Sequence, residues 1–311
     1  MFTTGHESWS RPDLSNLHLH LCLHNSHIHR GCPISNIRLS NSGRQIAVVF
    51  SSTFLETYSC DNLKDWIRTK SYQFNEIRSI AWTGTDQLAI SASNPVGLWI
   101  DESYLQPRTW IDHLACDGNI LIAAGSKGSQ PTPFVGAWDS IELQRLWMCP
   151  LSSDTGRACF ISKCQTDGNI VVGLDSGAIF IIRDGVEIHR IACPVGIQQA
   201  NLLDLMIPGT SPCLLTINKT SDLQLIPLSG SAPLCLPNRY VHSMASDRDL
   251  VALSTKDGLF SIYSLASWAD GPVLMIPFST SAVCIDFRLS VGRIAIAFGD
   301  RIQIYECRKS C

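Results

Sequence analysis

Charge is scarce in this sequence: only 16% of its 311 residues are Asp, Glu, Lys or Arg. The 24 basic residues stand against 27 acidic ones, for a net charge of −3. That balance gives no global electrostatic case for nucleic acid or an anionic membrane as the principal partner, and leaves room only for a local basic patch. Long apolar runs are missing too. No stretch approaches the roughly 18 residues that a membrane-spanning helix needs, and residues 1–16 are polar, with His6, Glu7, Arg11 and Asp13 where a secretory leader would be apolar. The 13 cysteines are scattered singly, as at Cys60, Cys116, Cys164, Cys213 and Cys284, and no pair has the two-residue gap used by zinc clips. An odd count without a leader predicts reduced, buried thiols in the cytoplasm or nucleus.

Catalytic phrases are absent as well. There is no Gly-x-Ser-x-Gly elbow, no Walker glycine loop and no His-Glu-x-x-His. Gly125-Ser126-Lys127-Gly128 is too short to cradle a phosphate and reads as a hairpin loop. Asp101 and Glu102 are adjacent on a turn and point apart, which does not suit acid–base work. No cofactor is expected.

What the chain does have is a strand-like phrase that returns about every 40 residues and usually ends in an aromatic. The phrases end near Tyr58, Trp99, Trp138, Ile182, Ile226, Tyr263 and Tyr305. That period is the one expected of four-stranded propeller blades, so the fold class is all-β: a seven-bladed β-propeller of antiparallel blades. The blades account for nearly the whole chain, with residues 1–16 as a polar tail and 17–311 as the propeller.

Each repeat parses into four strands by alternation of apolar and polar residues. In the second, Ile77 to Trp82 is the first strand, Gln87 to Ser91 the second, Asn94-Pro95 turns into a third ending at Ile100, and Pro107 to Ile111 supplies the fourth. The seventh offers only three, Ala282 to Phe287, Arg293 to Phe298 and Arg301 to Glu306. At the other end, Leu17 to Leu23 alternates cleanly and is predicted to complete the last blade, closing the ring with an N-terminal strand.

These phrases resemble the WD-repeat family of propellers over residues 17–307. Trp138-Asp139 is the one literal match to the family's third-strand ending. Asp175-Ser176-Gly177 and Lys256-Asp257-Gly258 resemble its tight turns. The repeats lack the Gly-His pair with which the family stiffens each blade, since Gly5-His6 lies in the tail. Stability must then come mainly from apolar packing between blades, at roughly 25 cal/mol per Å² buried.

The resemblance implies a partner face made of the connections between the fourth and first strands and between the second and third. That face would carry Arg157, Arg239, Tyr240, Lys127, Lys219, Lys256 and Arg301 beside Asp154, Asp175, Asp257 and Asp300. Arg157, Arg239, Tyr240, Lys256 and Arg301 are the candidate protein-binding residues, Arg and Tyr being frequent interface anchors. An ordinary solvated loop surface is the other reading of the same residues.

The histidines His18, His20, His24, His27 and His29 have a metal-like composition, and His18, His20 and Cys22 fall on one face of a strand. A structural zinc wants four rigid ligands and this strand offers at most three in line, so the expectation is no metal. Trp110, Trp147 and Trp268 fall in or near outer strands. The inner-strand positions read Ala, Ile and Val, which leaves a channel without catalytic groups. The functional expectation is a non-enzymatic interaction scaffold, a subunit or adaptor of a larger intracellular assembly with protein partners and no small-molecule substrate. A phosphoinositide or nucleic-acid reader is the alternative, and a propeller hydrolase a further one.

Overall fold

The computed structural model describes residues 19–29, 31–60, 65–93, 96–105, 110–127, 132–151, 156–164, 167–193, 196–203, 212–218, 220–230, 233–236, 240–247, 250–288 and 291–309. Within these, the side chains of 19–29, 127, 266, 267, 269 and 307–309 are left out of the description.

Alternating apolar residues bounded by Gly, Asn, Asp and Ser turns fold locally into antiparallel hairpins. Four such strands, A to D, make each of seven sheets. The A strands are Ile34–Leu39, Ile77–Trp82, Trp110–Asp117, Ala158–Lys163, Ile197–Leu203, Val241–Asp247 and Cys284–Arg288, and they number blades 1 to 7. Every A strand touches the A strands of the blades before and after it, and blade 7 touches blade 1, so the A strands line one closed ring.

All seven recurring phrases fall on third strands: Phe54–Ser59, Val96–Ile100, Thr132–Asp139, Ala178–Arg183, Leu223–Pro227, Leu259–Ser264 and Arg301–Lys309. Blade 7 is completed by Leu19–His29, which lies antiparallel to Arg301–Lys309 with Leu23 opposite Tyr305. The expected closure by an N-terminal strand is met, over a longer strand than Leu17 to Leu23; Leu17 and the tail 1–16 lie outside the described residues.

Packing runs between blades, as a strand that buries both faces requires. Seven apolar clusters each join two neighbours, one cluster per seam. At the seam of blades 7 and 1, Ile46, Val48 and Phe50 meet Ala295, Ala297 and Ile302. Polar groups reinforce that seam: the Ile34 amide donates to Gly299 O at 2.6 Å, the Leu39 amide donates to Asp286 Oδ2 at 2.6 Å, and the Arg293 guanidinium donates to the Gly43 carbonyl.

Two expected elements differ. The fourth strand of blade 2 is Ser103–Leu105, and Trp110 and Ile111 instead open the first strand of blade 3. The reason is a turn of only Asp101 and Glu102, with Asp101 at φ 48°, which brings Ser103 opposite Ile100 at once. Gly125, Ser126 and Lys127 are not a hairpin loop. They end the second strand of blade 3, Ile120–Lys127. Gly125 is required there because a Cβ would run into the Trp110 carbonyl, where the neighbouring strand bulges between Ile111 and His113.

No disulfide joins the described cysteines. Burial pushes the Cys284 thiol up to about 12 and the Cys116 thiol up to about 11, so neither supplies thiolate near neutral pH. Cys235 is exposed. In the native protein at pH 8, iodoacetamide is expected to modify Cys235 well before Cys116 or Cys284, which react only after denaturation; peptide mapping by mass spectrometry reads the order.

Candidate functional site

The strands alternate in direction, so the D-to-A and B-to-C connections emerge on one side of the ring. Arg157, Tyr240, Lys256 and Arg301 all lie at such connections and are exposed. Arg239, Lys219 and Asp154 lie outside the described residues, as does the side chain of Lys127.

The four exposed residues do not form one cluster. On blade 6, Tyr240 O accepts the Lys256 amide at 3.0 Å. Tyr240 is 64% exposed and its φ of 64° is left-handed, a region that a bulky side chain rarely occupies. Beside it, the Thr255 hydroxyl donates to Asp257, and that bond holds the Asp257 carboxyl below its ordinary range. Arg157 belongs to blade 4, where its amide donates to Asp175 Oδ1 at 3.0 Å. Arg301, on blade 7, sets its guanidinium 5.8 Å from the Phe298 ring.

The inner strands are more polar than expected. Near its loop-face end, each A strand of blades 1 to 6 bulges one or two residues after its start, at Ser35, Arg78, Asp112, Cys159, Gln198 and His242. A bulge breaks the two-residue period and re-aims side chains, which places this polar set around the mouth of the channel. Arg78 of blade 2 meets Asp112 of blade 3 at 2.6 Å and lies 3.6 Å from Glu76. The Trp110 ring sits over the same guanidinium, its centroid 4.6 Å away. Burial raises the Asp112 carboxyl above its ordinary value, and Arg78, with the weaker field of Arg157, opposes that rise.

Deeper along the axis, polar side chains fasten several inner strands to their neighbours. Leu114 N donates to Ser79 Oγ at 3.0 Å, Gln199 Nε2 donates to Met244 O at 2.9 Å, and Trp82 Nε1 donates to Arg38 O at 2.9 Å. The channel-side edge of an A strand has no further strand to pair with, and these groups satisfy it. His113 is partly buried among them, and its pKa falls to about 4 through burial and, secondarily, the charge of Arg38.

The reading of the inner strands as Ala, Ile and Val is thereby corrected. It followed the positions that face the seams and passed over those displaced by the bulges. The signal was available, since Ile-Ser-Asn-Ile, Ile-Arg-Ser-Ile, Ile-Asp-His-Leu and Val-His-Ser-Met share a polar second residue after an apolar first. Among the described residues no three His, Cys, Asp or Glu side chains gather as a metal site would. The side chains of His18, His20, His24, His27 and His29 lie outside that description. Trp147 packs in an outer strand against the Gly185 turn of the next blade, and Trp268 stacks on Tyr263 at 4.5 Å.

A closed ring of seven four-stranded sheets is also found in solved structures. The beta-propeller domain of Cps50 (Swd1) from Myceliophteria thermophila matches with a TM-score of 0.67 and 14% identity, covering 92% of this chain and 99% of that one. This chain has the β-propeller fold. Raptor from Chaetomium thermophilum matches with a TM-score of 0.69 and 12% identity, covering 93% of this chain and 30% of Raptor. At identities this low the likeness is one of architecture. No family model matches the sequence, and no curated protein matches it. No helix among the described residues is long and apolar enough to cross a membrane.

Proposed function

We propose that this propeller is a non-enzymatic platform that holds a protein partner on its loop face, as a subunit or adaptor of a larger intracellular assembly. Tyr240 is the observation that carries the reading. A left-handed backbone costs a non-glycine residue on the order of 1 to 3 kcal/mol, and here that cost accompanies an aromatic that stays mostly in solvent. Tyrosine is among the residues most enriched at interface hot spots, and the backbone of Tyr240 is fixed by the Lys256 amide. Arg157 and Arg301 extend the same face across blades 4 and 7.

Affinity purification with mass spectrometry, comparing the wild type with the Arg239→Ala/Tyr240→Ala variant, tests the proposal. A stoichiometric protein partner should be recovered with the wild type and should bind the variant about 30-fold more weakly, the loss of about 2 kcal/mol typical of a hot spot. Tyr240→Gly separates binding from folding. It should lose the partner while keeping the melting temperature or raising it, since glycine relieves the left-handed strain. A clean monomer from extract, or a partner retained by both variants at wild-type affinity, refutes the assignment.

A further inference from the structure

We propose that the channel mouth between blades 2 and 3, built by Arg78, Trp110 and Asp112, receives a cationic side chain, lysine or arginine, from a protein segment crossing the loop face. This rests on the reading of that face as a protein-binding platform, and names the chemistry of one contact on it.

The Asp112 side chain is only 9% exposed. Its Oδ1 takes the Arg78 contact, while Oδ2 is buried and has no hydrogen-bond partner among the described residues. A carboxylate oxygen so placed costs free energy until a donor reaches it, and a charged donor satisfies it best. Arg78 does not complete the balance. Among the described residues its guanidinium is shared between two carboxylates, Asp112 at 2.6 Å and Glu76 at 3.6 Å, while its Nε is buried without a hydrogen-bond partner. Burial outweighs Arg78 and raises the Asp112 carboxyl above its ordinary value, a rise that an entering cation would oppose.

Trp110 supplies the second half of the recognition. It is 36% exposed while its ring lies against Arg78. An indole partly open to solvent beside an underpaired carboxylate offers an entering cation both a π-face and a charged acceptor.

Four fluorescein-labelled decapeptide pools, random except for a fixed central Lys, Arg, Leu or Glu, provide the probe, and fluorescence anisotropy the reading. The Lys and Arg pools are expected to bind the wild type about tenfold more tightly than the Leu and Glu pools. Asp112→Asn should remove that preference. Trp110→Ala should reduce it about threefold with the Arg78–Asp112 pair intact. Asp257→Asn, an equal change of charge on the same face but in blade 6, should leave it unchanged, which separates this mouth from general attraction to an acidic protein. Circular dichroism melts confirm that each variant is folded, and if Asp112→Asn does not fold, Trp110→Ala alone decides.

Equal binding of all four pools, a preference untouched by both Asp112→Asn and Trp110→Ala, or an equal loss in Asp257→Asn overturns the proposal. Any of these could occur while Tyr240→Gly still abolishes partner binding. The platform would then stand without this contact.

Discussion

Removal of residues 1–29 should destabilise the protein by on the order of 5 kcal/mol and drive it into aggregates, the largest single effect expected from any change to this chain. The deleted segment contains the whole fourth strand of blade 7, which pairs with Arg301–Lys309 from Leu19 opposite Lys309 to His29 opposite Arg301. Without it, the edge of Arg301–Lys309 is left as a row of unpaired backbone groups, a template for pairing with another chain. Urea unfolding would give the loss of stability, and light scattering after size-exclusion chromatography the loss of monomer. A truncated protein that remains monomeric with an unchanged melting temperature would show that the seam of blades 7 and 1 holds without this strand.

Acidification should weaken the fold through His113. Its folded pKa of about 4 lies below the ordinary 6.5, so in this window the unfolded chain binds a proton that the folded chain refuses. Stability therefore rises with pH between about 4 and 6.5, and the difference across the window is about 3 kcal/mol for this one group. The raised carboxyl of Asp112 acts in the opposite sense near the bottom of the window, since the folded state holds its proton more tightly. The comparison of wild type with His113→Gln isolates the histidine. The variant should show a flatter dependence of melting temperature on pH from 4.5 to 7, and Arg38→Met should flatten it partly by removing the neighbouring charge. Parallel curves for wild type and His113→Gln would mean that the imidazole takes up its proton equally in the folded and unfolded states.

The architecture was legible because the seven seams repeat one demand. Each third strand must bury side chains against two neighbours, so Tyr58, Trp138, Ile182 and Tyr305 mark the period even where the aromatic is replaced. Leu17 to Leu23 revealed the closure for the same reason, as an alternating segment left over when the seventh repeat ran short of a strand. The mouth was not legible from period alone. One inserted residue in each inner strand of blades 1 to 6 shifts which side chains turn toward the axis, and alternation counted through Ile77 to Trp82 misses Arg78 in the way that alternation through Ile111 misses Asp112. The short outer strand of blade 2 was lost because three residues are too few to establish a pattern, while the tryptophan that followed belonged to the next sheet. Tyr240 was singled out for its residue type. Its backbone angle, which makes it unusual, has no expression in sequence.

The strand that locks the ring is made before blades 1 to 6 and must wait for a partner made after them. Leu19–His29 leaves the ribosome roughly 270 residues before Arg301–Lys309 does, an interval of roughly 15 to 55 s at common rates of synthesis. Throughout that time a segment rich in leucine has no partner of its own, although blades 1 to 6 can each form from contiguous chain. Locking thus waits until blades 1 to 6 have been synthesised, and has a long loop to close. Maturation of this protein in the cell should depend on whatever shields that segment during the delay.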